Sequence, residues 1–176
     1  MLYQNFRVII CLMLSIKLFG NIIFWDVHIP SASMENTLEV GSDILVLKQK
    51  YVNEIERGDI IVFLCEADNN EAYIKRVIGL PNEHIEIHNK NIYVGDENGF
   101  LLKEDYLKED WLVDNDGYVF DVPEKSYLVL GDNRNDSYDS RYWELYDSRY
   151  VKENKVLGKA IFKYAPYMEV LKNKGY

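Results

Sequence analysis

Two stretches of the chain carry residues whose types and spacing could support serine-based chemistry. Residues 29–38 read IPSASMENTL and place hydroxyl groups on Ser31 and Ser33. The stretch YIKRVIG, at residues 73–79, carries Lys75 among apolar and aromatic neighbours. Serine becomes a nucleophile when a nearby base accepts its proton, and lysine can be that base once burial lowers its pKa. The two stretches therefore suggest a serine–lysine pair.

The lysine stretch is predicted to be a β-strand, in which side chains alternate between two faces. Lys75 then shares a face with Tyr73 and Val77, while Arg76 points to the opposite face. One of the two cations must therefore point toward the apolar side of a sheet. The alternative is an edge strand in which both cations extend outward into water, and this stretch alone favours neither.

A third stretch, GDNRNDSYDSRYW at residues 131–143, is dense in polar side chains and follows the apolar run YLVL. Such density is typical of a solvated loop. Its acidic and basic residues nearly balance, however, and paired charges allow a loop to be ordered and partly buried. The side chains concerned are Asp132, Asn133, Arg134, Asp136, Ser137, Asp139 and Arg141.

Other chemistries have little support in the sequence. No G-x-S-x-G or S-x-x-K motif occurs, and His28, His84 and His88 are placed for solvation rather than for a proton relay. Two cysteines, Cys11 and Cys65, are too few for a zinc site or a disulfide framework. The formal net charge of −9 argues against nucleic acid as a partner. We therefore predict no metal and no cofactor.

The N-terminal part of the chain contains its most apolar run, residues 8–25. A helix of this length spans most of a bilayer core, and we predict an uncleaved transmembrane anchor despite the cost of Lys17 near its centre. A cleaved secretory signal ending at Ser31–Ser33 and a buried amphipathic helix are the alternatives. Positive charge precedes the run, which places residues 1–7 in the cytoplasm and residues 26–176 outside the membrane.

After residue 38 the pattern is predominantly β. Short runs rich in Ile, Val, Phe and Tyr alternate with turn residues, and one of them reads as a hairpin that turns at Asn89–Asn91. The predicted fold class is mainly β, with twisted antiparallel sheets forming a barrel-like body behind one N-terminal transmembrane helix. The runs lie at residues 43–52, 59–65, 72–80, 83–95, 117–123, 126–132 and 158–166.

One segment departs from this pattern. Residues 96–116 contain eight acidic and two basic residues, and we predict a short exposed helix or a solvated excursion there. The wider range 84–125 is predicted to form, in part, a smaller inserted lobe.

In this order, the segments resemble the bacterial type I signal peptidases, the membrane-anchored serine–lysine leader peptidases. Four boxes in a fixed order behind an apolar anchor are more specific than any single motif. Residues 84–125 match the family pattern less well. The boxes are PSASMENTL, RGDIIVF, YIKRVIGLPNE and LGDNRNDSYDSRYW, at residues 30–38, 57–63, 73–83 and 130–143.

The resemblance implies a role for each active-site residue. Ser33 would be the nucleophile, and Lys75 would be the general base that later protonates the leaving amine. Ser31 would contribute its hydroxyl, beside the Ser33 backbone N–H, to an oxyanion hole. Ser137 would hydrogen-bond Lys75 and orient it.

The resemblance also implies two ion pairs that hold the last box against the strand of Lys75. Asp139 would pair with Arg141, and Asp132 would pair with Arg76. Lys75 would then point into the active site and Arg76 toward the last box, which removes the ambiguity of the strand.

A type I signal peptidase would remove signal peptides from exported precursors that carry small residues at positions −1 and −3 and bind extended along a strand edge. Its partners would be these precursors, the lipid bilayer and, as a further candidate, the secretion translocon. The resemblance implies no cofactor or metal.

Met34 would pack toward the anchor or the membrane. Two residues depart from the pattern, since Asn36 replaces a usual Pro and Glu144 stands where Gly is common.

Two other functions stay open as alternatives. A serine–lysine autoprotease would share the β-rich core, but such proteins are cytoplasmic and usually carry a DNA-binding module, for which this chain has no basic region. A membrane-anchored binding module without turnover would have the same fold, although every candidate catalytic group is present in the sequence.

Overall fold

The computed structural model describes residues 22–96, 99–111, 117–143 and 149–171. These residues form twelve strands and several short 3₁₀ helices. The strands are β1 (Phe24–His28), β2 (Asp43–Lys48), β3 (Ile60–Cys65), β4 (Glu71–Gly79), β5 (His84–His88), β6 (Asn91–Val94), β7 (Phe100–Leu101), β8 (Tyr118–Asp121), β9 (Ser126–Leu130), β10 (Val151–Lys152), β11 (Val156–Ala165) and β12 (Glu169–Val170). The 3₁₀ helices span Ala32–Met34, Gln49–Tyr51, Glu66–Asp68 and Glu153–Lys155.

Eight strands form one large antiparallel sheet in the order β1-β2-β11-β3-β4-β9-β10, with β12 paired to β11 off this path. β11 is ten residues long and pairs with both β2 and β3, so it lies between the early strands of the chain. Its pairing with β2 shifts register after Ala160 and after Lys163. Bulges of this kind bend a strand and increase its twist. The predicted mainly β fold with antiparallel sheets is therefore confirmed.

Four strands form a second antiparallel sheet in the order β7-β6-β5-β8. β5 and β6 are the predicted hairpin, and its two turn residues, Asn89 and Lys90, have φ values of 49° and 61°. Positive φ at both central residues is the geometry of a type I′ turn, which matches the twist of the flanking strands. Ile85 and Ile87 of β5 are buried in one apolar cluster with Leu128 of β9, which docks this sheet onto the large one.

The core consists of three apolar clusters. One joins the small sheet to β9, a second surrounds Trp143 between β3, β4 and β9, and a third includes Met34 from the turn after β1. Met34 is fully buried among side chains of β2, β3 and β11. Met34 therefore packs within the core, in a cluster that includes Trp25 and Val27 of the anchor-proximal strand β1, and not against the membrane.

Most of the predicted transmembrane segment, residues 8–21, lies outside the described residues, as does Glu144. The predicted segment extends too far at its C-terminal end, because Phe24 and Trp25 begin β1 and pair with β2. Among the residues that the structure describes, no helix is long and apolar enough to cross a membrane.

The acidic segment is exposed at most of its described residues, 96 and 99–111, but a few of its side chains are buried in the fold. Phe100 and Leu101 form β7, while Tyr106 and Trp111 are fully or almost fully buried. The predicted exposed helix is therefore wrong, since no helix forms over this range, whereas most of its residues are exposed, as in a solvated excursion. The acidic composition concealed aromatic side chains that point inward between the charged ones.

Candidate active site

Ser33 lies in the 3₁₀ helix Ala32–Met34, which follows β1. Ser31 precedes this helix in an extended conformation, and the Glu35 N–H returns to the Ala32 carbonyl at 3.0 Å, which closes the turn. The first backbone N–H groups of a helix have no acceptor within it. The Ser33 N–H can therefore serve an acceptor that lies outside the turn.

Lys75 reaches Ser33 from β4. Its Nζ donates hydrogen bonds to Ser33 Oγ at 2.8 Å and to the Ile74 carbonyl at 2.9 Å. The ammonium group also lies 5.3 Å from the centre of the Tyr73 ring, on the same face of the strand. Arg76 is buried as well, so both faces of β4 are covered here and neither cation extends into water.

Burial lowers the pKa of Lys75 to about 8, and the nearby carboxylates of Asp139 and Asp132 offset only part of this effect. The hydrogen bonds of Lys75 go to a hydroxyl and a carbonyl oxygen and not to a carboxylate. The neutral amine is thus accessible close to neutral pH, and in that state Nζ accepts the Ser33 proton instead of donating one. A buried amine of this kind can act as a general base.

Ser31 lies next to the candidate nucleophile on the exposed side of the turn. The Oγ atoms of Ser31 and Ser33 are 3.4 Å apart. The Ser31 hydroxyl and the Ser33 N–H are the two donors that the turn offers beside the reactive oxygen. A pair of donors is what an oxyanion hole requires.

Ser137 does not make the hydrogen bond to Lys75 that the resemblance implies. Its buried Oγ instead lies near Asp139, where it helps to lower the pKa of that carboxyl. The hydroxyl lies over Gly131, where an added Cβ would collide with it and with the Ser33 carbonyl. Lys75 instead takes the Ile74 carbonyl as its second acceptor. At Gly131 the last box thus contacts the turn that carries Ser33. Any larger residue at this position would force the loop and the turn apart.

Arg76 and Asp132 form the ion pair that joins the last box to β4. The contact is bidentate, at 2.7 Å between Arg76 Nε and Asp132 Oδ1 and 2.6 Å between Nη2 and Oδ2. Thr37 Oγ1 donates to Asp132 Oδ2 at 2.6 Å, and Arg76 Nη1 donates to the Gly58 carbonyl at 2.7 Å. One buried cluster therefore joins three parts of the chain. These are the turn that carries Ser33 (residues 30–38, the serine turn), β4, and the last box (residues 130–143).

Asp139 and Arg141 also pair, with 2.8 Å between Arg141 Nε and Asp139 Oδ1. This pair stays within the last box and does not bridge to β4, which corrects the expectation for it. Asp139 Oδ2 accepts the Gly131 N–H at 3.0 Å, and Arg141 Nη2 donates to the Arg134 carbonyl at 3.0 Å. Although burial opposes ionisation, Arg141 holds the pKa of the Asp139 carboxyl below its usual range. The pair therefore folds the loop onto itself.

Asn133 contacts the serine turn directly, a role that the sequence did not assign to it. Its backbone N–H donates to the Ser33 carbonyl at 3.1 Å, and its Nδ2 donates to the Ala32 carbonyl at 3.1 Å. The side chain is buried. The only sequence signal was its place in the polar run GDNR.

Tyr106 and Trp111 of the acidic segment cover the arginines of the site. The Tyr106 ring centre lies 4.1 Å from the guanidinium carbon of Arg76, and the Trp111 ring centre lies 4.9 Å from that of Arg134. Buried contacts of this type stabilise a desolvated cation. Glu104, from the same segment, pairs with Arg134. These partners are distant in the chain, so no local pattern could have indicated them.

A cleft of about 400 Å³ opens beside Ser33 and Lys75, with Ala72 and Tyr138 among its walls. β9 pairs with β4 only from Arg76 onward. In the part of the chain that the structure describes, β4 before Arg76 pairs with β3 alone and keeps one edge open beside the cleft. An extended peptide can add to such an edge through main-chain hydrogen bonds.

The reactive groups gathered here are a hydroxyl, an amine of lowered pKa and two candidate oxyanion donors. These groups suffice for acyl transfer from an amide to serine and then to water. Within the described ranges, no group of three or more His, Cys, Asp or Glu side chains is arranged to hold a metal ion.

Comparison with known proteins points to one family. A family model described as signal peptidase, peptidase S26, matches residues 2–165. The chain is 39% identical over 152 residues to a probable signal peptidase I-2 of Synechocystis sp., which covers 81% of this chain and 64% of that protein. It is 35% identical over 175 residues to signal peptidase I of Bacillus caldolyticus, which covers 92% of this chain and 89% of that protein. The chain thus spans less than two thirds of the first relative and most of the second.

A solved structure is similar as well. The crystal structure of a signal peptidase I from Enterococcus faecalis shares 34% sequence identity and a TM-score of 0.50 with this chain. The match covers 61% of this chain and 97% of the solved one.

Proposed function

The chain belongs to the signal peptidase family, peptidase S26, and from this premise we propose that it is a membrane-anchored serine endopeptidase that removes signal peptides from exported precursors. The observation that carries the proposal is the 2.8 Å contact between Lys75 Nζ and Ser33 Oγ in a buried site. Serine and lysine in hydrogen-bond contact, with the lysine desolvated, form a nucleophile and its base.

In the first half of the reaction, neutral Lys75 accepts the Ser33 proton while Oγ attacks the carbonyl carbon at the cleavage site. The carbonyl oxygen becomes an oxyanion, which the Ser33 N–H and the Ser31 hydroxyl stabilise by hydrogen bonds. Each such donor is typically worth about 3 kcal/mol in the transition state. The C–N bond then breaks, and protonated Lys75 returns its proton to the leaving amine, which becomes the N-terminus of the mature protein.

In the second half, water replaces the released amine. Lys75, neutral again, accepts a proton from this water as its oxygen attacks the acyl carbon bound to Ser33. The same donors stabilise the second oxyanion. Breakage of the ester bond restores the Ser33 hydroxyl, which regains its proton from Lys75, and releases the signal peptide with a free carboxylate.

The substrate would bind extended along the open edge of β4, which borders the cleft. Main-chain pairing holds a peptide independently of its sequence, so selectivity must come from the space left for its side chains. The cleft walls include Pro30, Ala32, Ala72 and Tyr138. The proposed preference is for small residues at positions −1 and −3, because a cleft of about 400 Å³ must hold the peptide backbone as well as its side chains.

The apolar run that precedes β1 would anchor the protein, with its N-terminus in the cytoplasm and the β domain on the opposite side. Exposed apolar side chains lie at the start of β1 and in the turn between β11 and β12, including Ile22, Tyr167 and Met168, which is 79% exposed. Ile22 lies within the apolar run and is compatible with contact to lipid, whereas Tyr167 and Met168 lie beyond the opposite end of β1. Precursors, the bilayer and the secretion translocon are the proposed partners.

Replacement of the candidate nucleophile tests the proposal. Ser33→Ala in the full-length protein in lipid vesicles should lower cleavage of a precursor with Ala at −1 and −3 by more than about a thousandfold, because Ser33 carries the one hydroxyl that is hydrogen-bonded to Lys75 among the described residues. A serine-directed acylating inhibitor should add its mass to the wild-type protein and not to the variant.

Ser126→Ala is the matched control, since Ser126 on β9 is 5% exposed and Ser33 is 8% exposed. This variant should cleave at the wild-type rate. A precursor with Phe at −1 should resist the wild-type protein. Normal cleavage by Ser33→Ala, or acylation that persists in this variant, would contradict the proposal.

A further inference from the structure

Asn36 lies at the point where the serine turn changes direction, and its φ is 82°. Proline has φ fixed near about −65° and cannot adopt this conformation, whereas asparagine tolerates it better than most residues. The backbone conformation of this turn therefore requires a residue such as Asn36 and excludes the proline that is usual at this position.

The side chain of Asn36 reaches the acidic segment. Its Nδ2 donates hydrogen bonds to the Tyr106 carbonyl at 3.0 Å and to the Leu107 carbonyl at 3.2 Å. The neighbouring residue of the turn, Glu35, accepts a hydrogen bond from Lys108 Nζ at 2.6 Å. Two consecutive residues of the turn are thus joined to three consecutive residues of the segment.

The segment is itself fixed on its other side. The buried Tyr106 ring lies against Arg76, and the Lys108 N–H approaches the Asp132 carbonyl at 3.5 Å. Tyr106 also donates its hydroxyl proton to Glu104, which pairs with Arg134. Arg76 and Asp132 form the bidentate ion pair of the site. The acidic segment therefore contacts both partners of the pair that joins β4 to the last box.

We propose that Asn36 is a positioning residue that pins the serine turn to residues 104–108 and so keeps Ser33 Oγ within reach of Lys75 Nζ. The inference rests on the proposed peptidase function. The turn is also held at Thr37, by Asp132, so loss of the pin leaves the fold intact. What changes is the fraction of molecules in which the hydroxyl and the amine are aligned.

The test replaces Asn36 with residues that keep the turn but not the donor. Asn36→Gly retains access to positive φ and removes both hydrogen bonds, so kcat should fall about tenfold while KM stays within about twofold. Asn36→Asp should lower kcat at least as much, because a carboxylate has no N–H and repels the two carbonyl oxygens.

Asn82→Gly is the matched control, because Asn82 has φ 65° and lies in the turn before β5. Asn82→Gly raises the conformational entropy of the unfolded chain by the same amount as Asn36→Gly, but it lies outside the serine turn. It should leave kcat unchanged and lower the unfolding temperature less than Asn36→Gly does, because only Asn36→Gly also loses two hydrogen bonds. A wild-type kcat in Asn36→Gly, or an equal loss of kcat in Asn82→Gly, would overturn the proposal.

A second measurement does not depend on activity. The amides of Glu35, Thr37 and Leu38 donate to carbonyls within the turn, and in a Ser33→Ala background they should exchange hydrogen about tenfold faster when Asn36 is Gly. The same amides should be unaffected by Asn82→Gly. Unchanged exchange rates would overturn the proposed role of Asn36, whether or not the wild-type protein cleaves precursors. Failure of the wild-type protein to cleave precursors would overturn only the proposed function.

Discussion

Two buried lysines contact the serine turn, and their surroundings give them opposite properties. Lys75 is 4% exposed and Lys163 is 1% exposed. Lys75 donates to neutral oxygens, and burial lowers its pKa to about 8. Lys163 Nζ lies 3.1 Å from a Glu39 oxygen and 3.0 Å from a Glu169 oxygen, and these carboxylates raise its pKa although burial opposes its charge.

The difference shows that burial alone does not make a lysine a base. Lys163 is held as a cation by two carboxylates and also donates to the Thr37 carbonyl at 3.0 Å, so it links β11 to the turn. Lys75 lacks such direct partners, and its charged form is the costly one. One lysine therefore suits proton transfer and the other suits structure.

The largest expected effect is on cleavage rate. Lys75→Met should lower cleavage of a precursor by more than about a thousandfold, because Lys75 is the one basic side chain that contacts Ser33 Oγ among the described residues. Lys163→Met should retain at least about a tenth of the wild-type rate, since Thr37 is also held by Asp132. Both rates are measured with full-length protein in vesicles. Equal loss in the two variants would remove the distinction between the lysines.

The next effect is on the pH dependence of cleavage. With a pKa of about 8 for Lys75, roughly a tenth of the molecules carry the neutral amine at pH 7 and roughly a hundredth at pH 6. The rate should therefore rise about tenfold from pH 6 to pH 7 and about fivefold from pH 7 to pH 8, and then level off. Lys163→Met should keep this profile. A rate that does not change between pH 6 and pH 8 would exclude Lys75 as the base.

The smallest effect is on stability, and its sign should differ between the two residues. The folded pKa of Lys75 lies below the unfolded value of about 10.4, so the unfolded chain binds the proton more tightly and stability rises with pH between about 8 and 10.4. The folded pKa of Lys163 is raised, so its stabilisation is complete below the unfolded pKa and is lost as pH rises through the folded value.

Urea unfolding at pH 7 measures this contrast. Lys75→Met should raise the free energy of unfolding by up to about 3 kcal/mol, and the gain should shrink at pH 9. Lys163→Met should lower it by about 1–3 kcal/mol, because Glu39 and Glu169 lose their partner but can still reach water. Destabilisation by both substitutions would show that the charge of Lys75 is already compensated in the fold.

Local patterns predicted most of the strands and the hairpin. The turn at Asn89 and Lys90 was readable because residues that tolerate positive φ stand between two alternating runs. Charge balance in the last box indicated an ordered loop, and the structure forms the Asp132 and Arg76 pair. That Ser137 makes no hydrogen bond to Lys75 could not be predicted from such patterns, because the position of its hydroxyl depends on how closely Gly131 lets the loop approach the turn.

The acidic segment also shows the limit of prediction from local sequence. Its composition indicated solvent exposure, yet Tyr106 and Trp111 are buried against arginines of two other segments. Composition reports the average of a segment, whereas burial depends on which individual side chains meet a partner across the fold. The link from Asn36 to this segment joins residues 70 and 71 positions apart and was likewise invisible in the sequence.

The sequence by itself determined which residue types are available for chemistry and which strands carry them, because alternation and turn preference act over a few residues. The tertiary structure decided which of the two buried lysines has a lowered pKa. That choice depends on strand order, since β3 pairs with β4 at Lys75 and β9 joins β4 from Arg76 onward, while β12 brings Glu169 to Lys163. The pKa of an amine is set by the groups within a few ångströms of it, and only the folded chain brings those groups together.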